Sequence, residues 1–237
     1  AGNDLVLSSA TSSIYTVGAN RGTGAIDPFD AEVLLRADFV ENGGDVRVRV
    51  GRDVRGVTNQ PLPDYMPRLS GEFIDYRPGI DFPVAWAIDA SRFTQGIGAL
   101  GGGDIQIVAG GSMDSMTLAL PTNALPYALD GSDTRLAGGG NLDVEVGDDV
   151  LGGVYLLGRG HGAIRAGGVI GESATGMRLA PIVSLGDADI DLVARRGVSL
   201  ETVFNPTVAE QNPEQGLLDF FFFPISTYLF TYTDRSA

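Results

Sequence analysis

The sequence predicts an all-β chain whose strands stack as a solenoid. Two observations predict it: short glycine-bounded stretches recur along the chain, and apolar residues alternate with polar ones inside each stretch. Alternation with a period of two is the pattern of a strand that buries one face. One such unit cannot bury its apolar face alone, so the units are expected to stack on one another and share a continuous core.

The repeat has five copies. The first three open with two glycines and an Asp or Asn, and they cover residues 43–51, 102–110 and 139–147. A shortened copy covers residues 163–170, and a degenerate one covers residues 188–194. Because the glycines of the copies align, the apolar positions between them align as well, and this predicts which side chains point inward.

The aligned copies predict three inward columns of apolar side chains and a fourth apolar position beyond the next turn. The columns are Val46, Ile105, Leu142 and Ile190; Val48, Ile107, Val144, Ile164 and Leu192; and Val50, Ala109, Val146, Ala166 and Ala194. The fourth position is occupied by Val54, Met113, Val150, Ile170 and Val198. Most positions between the columns are charged or polar, as expected of a solvent-facing side.

Residues 1–237 are interpreted as one solenoid segment of a longer chain, because solenoids need polar caps and neither end of the sequence supplies an obvious one. Three stretches interrupt the repeat. Residues 57–101 are rich in aromatic residues and proline, residues 116–137 are shorter, and residues 201–232 contain four consecutive phenylalanines. An insertion of the first kind is usually functional or packed on itself, and this one is predicted to lie as a flap on the side of the stack.

The insertion at 57–101 contains the candidate partner-binding residues. They are Tyr65, Arg68, Tyr76 and Trp86, which belong to the residue types enriched at binding hot spots. The alternative is that the same aromatic residues seal the flap to the stack. The four phenylalanines are interpreted either as residues buried beneath a covering segment or as an exposed interaction patch.

Charge and composition restrict the partners. The formal net charge is −14, so nucleic acid is not an expected partner and anionic lipid is repelled. The sequence has no run of 18 apolar residues, and membrane insertion by this segment is not expected. Cysteine is absent and all 16 basic residues are Arg, which excludes disulfides, a thiol nucleophile and a Schiff-base lysine.

The sequence gives little indication of catalysis, and we predict no enzyme activity and no cofactor. His161 is the single histidine and lies among glycines, so it is interpreted as an exposed turn residue without partners for a transition-metal site. Alternate residues Asp187, Asp189 and Asp191 could share one face of a strand, which makes them a weak calcium candidate. Asp and Asn are also preferred in turns for backbone reasons.

Several glycine-rich words resemble the large exoproteins of the filamentous haemagglutinin family from Gram-negative bacteria, over roughly residues 40–237. The words are FTQGIGALGGGDI at 93–105, LPTN at 120–123, GGGNL at 138–142, GGVY at 152–155 and GRGHGAIRAGG at 158–168. The resemblance implies a right-handed parallel β-helix that is exported through an outer-membrane transporter by two-partner secretion. It further implies a secreted or cell-surface location and a role in adhesion, biofilm formation or the display of a distal toxin.

The function expected from this resemblance is the shaft of a secreted or cell-surface adhesin, whose loops attach to a glycan or protein receptor on a host cell or other surface. Two alternatives remain open. One is a polysaccharide-active or polysaccharide-binding β-helix protein, and the other is the shaft of a contact-dependent toxin-delivery protein. Carboxylates converging in a groove beside the 57–101 insertion would favour the polysaccharide alternative, because glycoside hydrolysis uses a pair of them.

Overall fold

The structure, a computed structural model, describes residues 2–20, 39–58, 88, 90–126 and 134–205. These residues form strands and one 3-10 turn, Ala90–Arg92, with no α-helix among them. The strands are β1 Leu5–Val6, β2 Ser13–Thr16, β3 Ala19–Asn20, β4 Val40–Glu41, β5 Val46–Val50, β6 Val54–Arg55, β7 Gly96–Ala99, β8 Ile105–Ala109, β9 Met113–Asp114, β10 Thr117–Leu120, β11 Thr122–Pro126, β12 Thr134–Gly138, β13 Leu142–Val146, β14 Val150–Leu151, β15 Val154–Ala166, β16 Val169–Gly171, β17 Ile182–Ala194, β18 Gly197–Val198 and β19 Thr202–Phe204. The all-β prediction is confirmed.

Most strands belong to three stacks of parallel strands, which the chain visits in the same order again and again. The first stack contains β5, β8, β13 and the second halves of β15 and β17. The second contains β1, β6, β9, β14, β16 and β18. The third contains β2, β7, β10, the first halves of β15 and β17, and β19. Because β15 and β17 run through both, the first and third stacks form one large sheet.

The pairing register in the first two stacks confirms the aligned columns. In the first stack Val48 lies opposite Ile107, and Ile107 lies opposite Val144. In the second, Val54 lies opposite Met113. These columns form one core cluster with the inward residues of the third stack. The columns are less buried at the last strands, where Val198 is 46% exposed although the alignment predicts it to be inward.

The third stack is the part of the fold that the sequence analysis missed. Its strands β7 and β10 are buried at every position, so they lack the alternation that marks a strand with one solvated side. They lie within stretches predicted to be insertions, and β19 does as well. Each of the stretches 57–101, 116–137 and 201–232 therefore contains a strand of the third stack among its described residues.

A second core cluster covers the outer side of the third stack. It brings Ile88 and Phe93, from the 57–101 stretch, against Ala119 and Leu156, which point away from the first cluster. Leu179, from the loop after β16, packs against the same cluster. Ile88 and Phe93 thus lie on the outer side of the sheet, just before β7 enters it. Most of the 57–101 stretch lies outside the described residues.

Polar side chains connect successive strands where each strand of the first stack begins. In each case the side-chain oxygen of one residue accepts a hydrogen bond from the backbone N–H of the residue stacked on it. The links run from Asp45 to Asp104 at 3.0 Å, from Asp104 to Asn141 at 2.8 Å and from Asn141 to His161 at 3.2 Å. They satisfy donors that the strand ladders leave unpaired, and they explain why Asp or Asn recurs at the start of the repeat.

Removing one of these links should cost a measurable part of the stability. We expect Asn141→Ala to lower the free energy of unfolding by about 1 kcal/mol, because the His161 N–H loses its acceptor. Urea unfolding and amide hydrogen exchange at His161 measure the effect. Gln106→Ala is the control, since this side chain makes no hydrogen bond to the described residues. Equal losses in the two variants would contradict the role of the link.

A second series of side-chain links connects the starts of successive strands in the second stack. Its members are Asp4 to Asp53, Asp53 to Ser112, Ser112 to Asp149 and Asp149 to Val169, with lengths between 2.7 and 3.2 Å. The guanidinium of Arg52 binds the Asp4 carboxylate, and this hydrogen bond is the main cause that lowers the pKa of Asp4. The starts of the second-stack strands are therefore connected by polar side-chain links as well as by the ladder.

Tyr155 is a buried polar residue inside the stacks. It is fully enclosed in the first core cluster, and its hydroxyl donates to the carbonyl oxygen of Gly152 at 3.0 Å. Burial raises the pKa of Tyr155 well above its ordinary value, and the negative charge of Asp114 raises it further. The folded protein therefore holds this phenol neutral under conditions in which an unfolded chain would ionise it.

This difference should make the stability fall at alkaline pH. Because the folded pKa lies above the unfolded one, the contribution of Tyr155 is complete below about pH 10 and is lost as the pH rises further. We expect Tyr155→Phe to flatten the decline above pH 10, as measured by urea unfolding across a pH series. Tyr15→Phe, at an exposed tyrosine, is the control. An unchanged slope in Tyr155→Phe would contradict the burial argument.

Candidate functional site

Two hairpins project where the chain passes from the third stack to the first. One pairs β3 with β4, and the other pairs β11 with β12. Between them, the link from β7 to β8 is short and consists mainly of Gly101, Gly102 and Gly103. The two hairpins therefore stand as walls on either side of a glycine floor. Asn123 joins them at the base, because its Nδ2 donates to the Val40 carbonyl oxygen at 2.7 Å.

The space between the walls is an open cleft of about 500 Å³. Its lining residues are Glu41, Asn42, Gly43, Gly101, Gly102, Gly103, Leu136, Ala137, Gly138, Gly139, Gly140, Arg159 and Gly160. This volume falls within the range of ligand-binding clefts. Eight of these residues are glycines, two are apolar, two are charged, and Asn42 is polar.

Close backbone approaches require glycine in the floor of the cleft. Gly103 has φ of +112°, and a Cβ there would lie 2.6 Å from the carbonyl oxygen of Gly44. Gly140 has φ of +147°, and a Cβ there would clash with the carbonyl oxygen of Gly103. Since side chains are excluded from these positions, peptide groups and Cα atoms form the surface.

The two charged residues of the cleft differ in their surroundings. Glu41 is 5% exposed and lies in the wall. Arg159 is exposed, and its guanidinium makes no hydrogen bond or salt bridge with the described residues. Five other described arginines hold an Asp carboxylate at 3.0 Å or less, namely Arg47, Arg52, Arg55, Arg165 and Arg196. Arg159 thus brings an exposed guanidinium to the cleft that forms no salt bridge with the described residues, although Asp187 lies opposite it in the neighbouring strand.

His161 lies two residues beyond Arg159, beside the cleft. Its Nδ1 is 2.6 Å from the Oδ2 of Asp189, and its Nε2 is 3.8 Å from the Oδ2 of Asp191. The interpretation of His161 as a turn residue is wrong, because β15 continues through it and pairs with β17. Its exposure is as expected. The aligned columns place His161 opposite Asp189, so this pair could have been predicted from the sequence but was not.

Comparison with known proteins finds no match. No protein-family model, no curated protein and no solved structure is similar to this chain. The resemblance to filamentous haemagglutinins therefore stays a prediction, and the geometry of the cleft and of the stacks carries the functional argument.

The calcium candidate finds no support in the described part of the chain. Asp187, Asp189 and Asp191 do occupy alternate positions of β17, but Asp189 is bound to His161, and Asp187 lies opposite Arg159 in the neighbouring strand. No three His, Cys, Asp or Glu side chains among the described residues are arranged to hold a metal ion.

The candidate partner-binding residues Tyr65, Arg68, Tyr76 and Trp86 lie outside the described residues, and their role stays a prediction. The cleft itself was not predicted. A signal for it exists in the sequence, because the glycine triplets 101–103 and 138–140 span the starts of two aligned copies of the repeat. No described helix has the length and apolar character needed to cross a membrane.

Proposed function

We propose that this chain is a shaft segment of a secreted or cell-surface adhesin, wound as a right-handed parallel β-helix. The observation that carries the proposal is the unbroken register of the second stack, in which six parallel strands pair in chain order from β1 to β18. A chain that adds one strand to each stack in turn grows in length with every repeat.

The position of the insertions supports this function. The hairpins β3–β4 and β11–β12 and the loop 172–181 all leave the stacks between strands, and the pairing continues on either side of them. The stacks therefore tolerate added segments without a break in their core. A shaft of this kind is suited to hold loops outward for attachment, since loops placed by a rigid scaffold commonly carry recognition.

The proposal is tested by attachment. Beads coated with the folded chain should adhere to host cells or to glycan-coated surfaces more than beads coated with an unrelated protein of equal charge. A variant with residues 60–86 replaced by a short Gly-Ser linker, which keeps Ile88 and Phe93 of the second core cluster, then shows whether the insertion contributes. Failure of the folded chain to attach to every surface would contradict an adhesive role, and a crystal structure with left-handed winding would contradict the β-helix assignment.

The polysaccharide alternative is favoured by one observation, the cleft beside His161 and Asp189. We expect binding without turnover, because Glu41 is the one carboxylate among the described lining residues and glycoside hydrolysis uses a pair. Incubation with uronic-acid and neutral polysaccharides should release no reducing or unsaturated ends. Reproducible turnover that disappears in Asp189→Asn or Asp148→Asn would favour the enzyme over the shaft.

A further inference from the structure

We infer that the cleft between the two hairpins binds a short acidic oligosaccharide, with a sugar carboxylate on Arg159 and the sugar rings on the glycine floor. The inference adds a ligand site to the chain and does not depend on the adhesin shaft. The stacks could form a shaft that lacks this site, and the site could equally belong to a protein with another function.

The shape of the cleft excludes bulky side-chain recognition and suits a flat ligand. Its floor of Gly101, Gly102 and Gly103 lets a ligand approach the main chain without meeting a Cβ. A Cβ at Gly102 would meet the Cα of Gly138 only at 3.6 Å, so this position opens into the cleft. Gly102 and Gly103 are half-buried, and their peptide groups make no hydrogen bond with the described residues, so they offer donors and acceptors that sugar hydroxyls can match.

The exposed charge of the cleft favours an anion. The Arg159 guanidinium is exposed and forms no salt bridge with the described residues, whereas Glu41, the other charged residue of the lining, is 5% exposed. A guanidinium presents two parallel N–H groups to a carboxylate and binds it in a fixed plane. An anion that reaches Arg159 therefore gains a directed contact at one end of the cleft, while the remaining ligand lies along the floor.

The lining favours a sugar over a peptide. A peptide that adds to a strand edge is recognised through pockets for its alternate side chains. The strands at the walls, β4 and β12, each keep one unpaired edge in a two-stranded sheet, but Leu136 and Ala137 are the apolar side chains of the described lining and form no such series of pockets. A hydroxyl-rich chain does not need these pockets.

The test is titration calorimetry of the full chain with trigalacturonic acid at low and moderate salt. We expect saturable binding that weakens with added salt, as a charged contact exposed to solvent requires. Arg159→Gln should weaken it about tenfold or more. The matched control is Arg165→Gln, which removes an arginine from the same strand that is bound to Asp143 at 3.0 Å outside the cleft, and it should leave the affinity unchanged.

Three further probes separate the possible ligands. The methyl ester of trigalacturonic acid keeps the sugar rings but lacks the charge, and it should bind at least tenfold more weakly. Galacturonic acid alone should also bind more weakly, because it leaves the floor uncovered. Equal binding of triglutamate would overturn the choice of a sugar, and equal loss in Arg159→Gln and Arg165→Gln would overturn the site. Loss of this binding would leave attachment by the 57–101 insertion unaffected, so its failure is distinguishable from failure of the adhesin proposal.

Discussion

Val144→Asp should lower the free energy of unfolding by about 4 kcal/mol or more. Val144 is fully buried, and it lies between Ile107 and Ile164 in the middle of an apolar column. A carboxylate placed there has no partner and loses its hydration, which is among the most costly changes a core tolerates. Urea unfolding followed by circular dichroism measures the effect.

Glu145→Asp is the matched control for this prediction. It places the same side chain one residue along the same strand, on the exposed outer face. We expect a change within about 0.5 kcal/mol there. A strand shifted by one residue would exchange the two faces, so comparable losses at both positions would contradict the register of the first stack.

The first two stacks could be predicted because their physical signal is local and repeated. One face of the first stack is solvated, so each strand alternates, and the side-chain links at the strand starts require Asp or Asn after the glycines. Aligning five such copies gives the register directly. Val48, Ile107 and Val144 stand in one column for this reason.

The third stack could not be found by the same reasoning. Both of its faces are covered, so a strand such as β10 shows four buried residues in succession and no period of two. What covers it comes from distant parts of the chain, including Ile88 and Leu179. No local pattern records that contact, and the strands were therefore assigned to insertions.

The cleft was missed for a related reason. It depends on two hairpins that lie far apart in the chain and meet only because the stacks place their links at one corner. There Asn123 Nδ2 donates to the carbonyl oxygen of Val40, which lies 83 residues earlier in the chain. A glycine triplet by itself does not indicate a cleft, because glycine clusters also mark ordinary turns and loops. Only the stacked arrangement shows that Gly101 to Gly103 form a floor and that Arg159 stands beside it.

Leu156→Asp should destabilise the protein almost as strongly as the change at Val144, although Leu156 points away from the first core cluster. It is 1% exposed because the second cluster, with Ile88 and Phe93, covers the outer side of the third stack. We expect a loss of about 3 kcal/mol or more in the free energy of unfolding. Urea unfolding is again the measurement.

Val193→Asp is the control, because it makes the same kind of change at an outward position of the same sheet that no described residue covers. Val193 is 57% exposed and lies opposite Arg165. An aspartate there remains hydrated beside an arginine, so the stability should change by no more than about 0.5 kcal/mol. If Leu156→Asp were as mild as Val193→Asp, the second cluster would be a loose cover instead of a core. The residues around Ile88 and Phe93 would then be free to leave the outer side of the sheet and act in recognition.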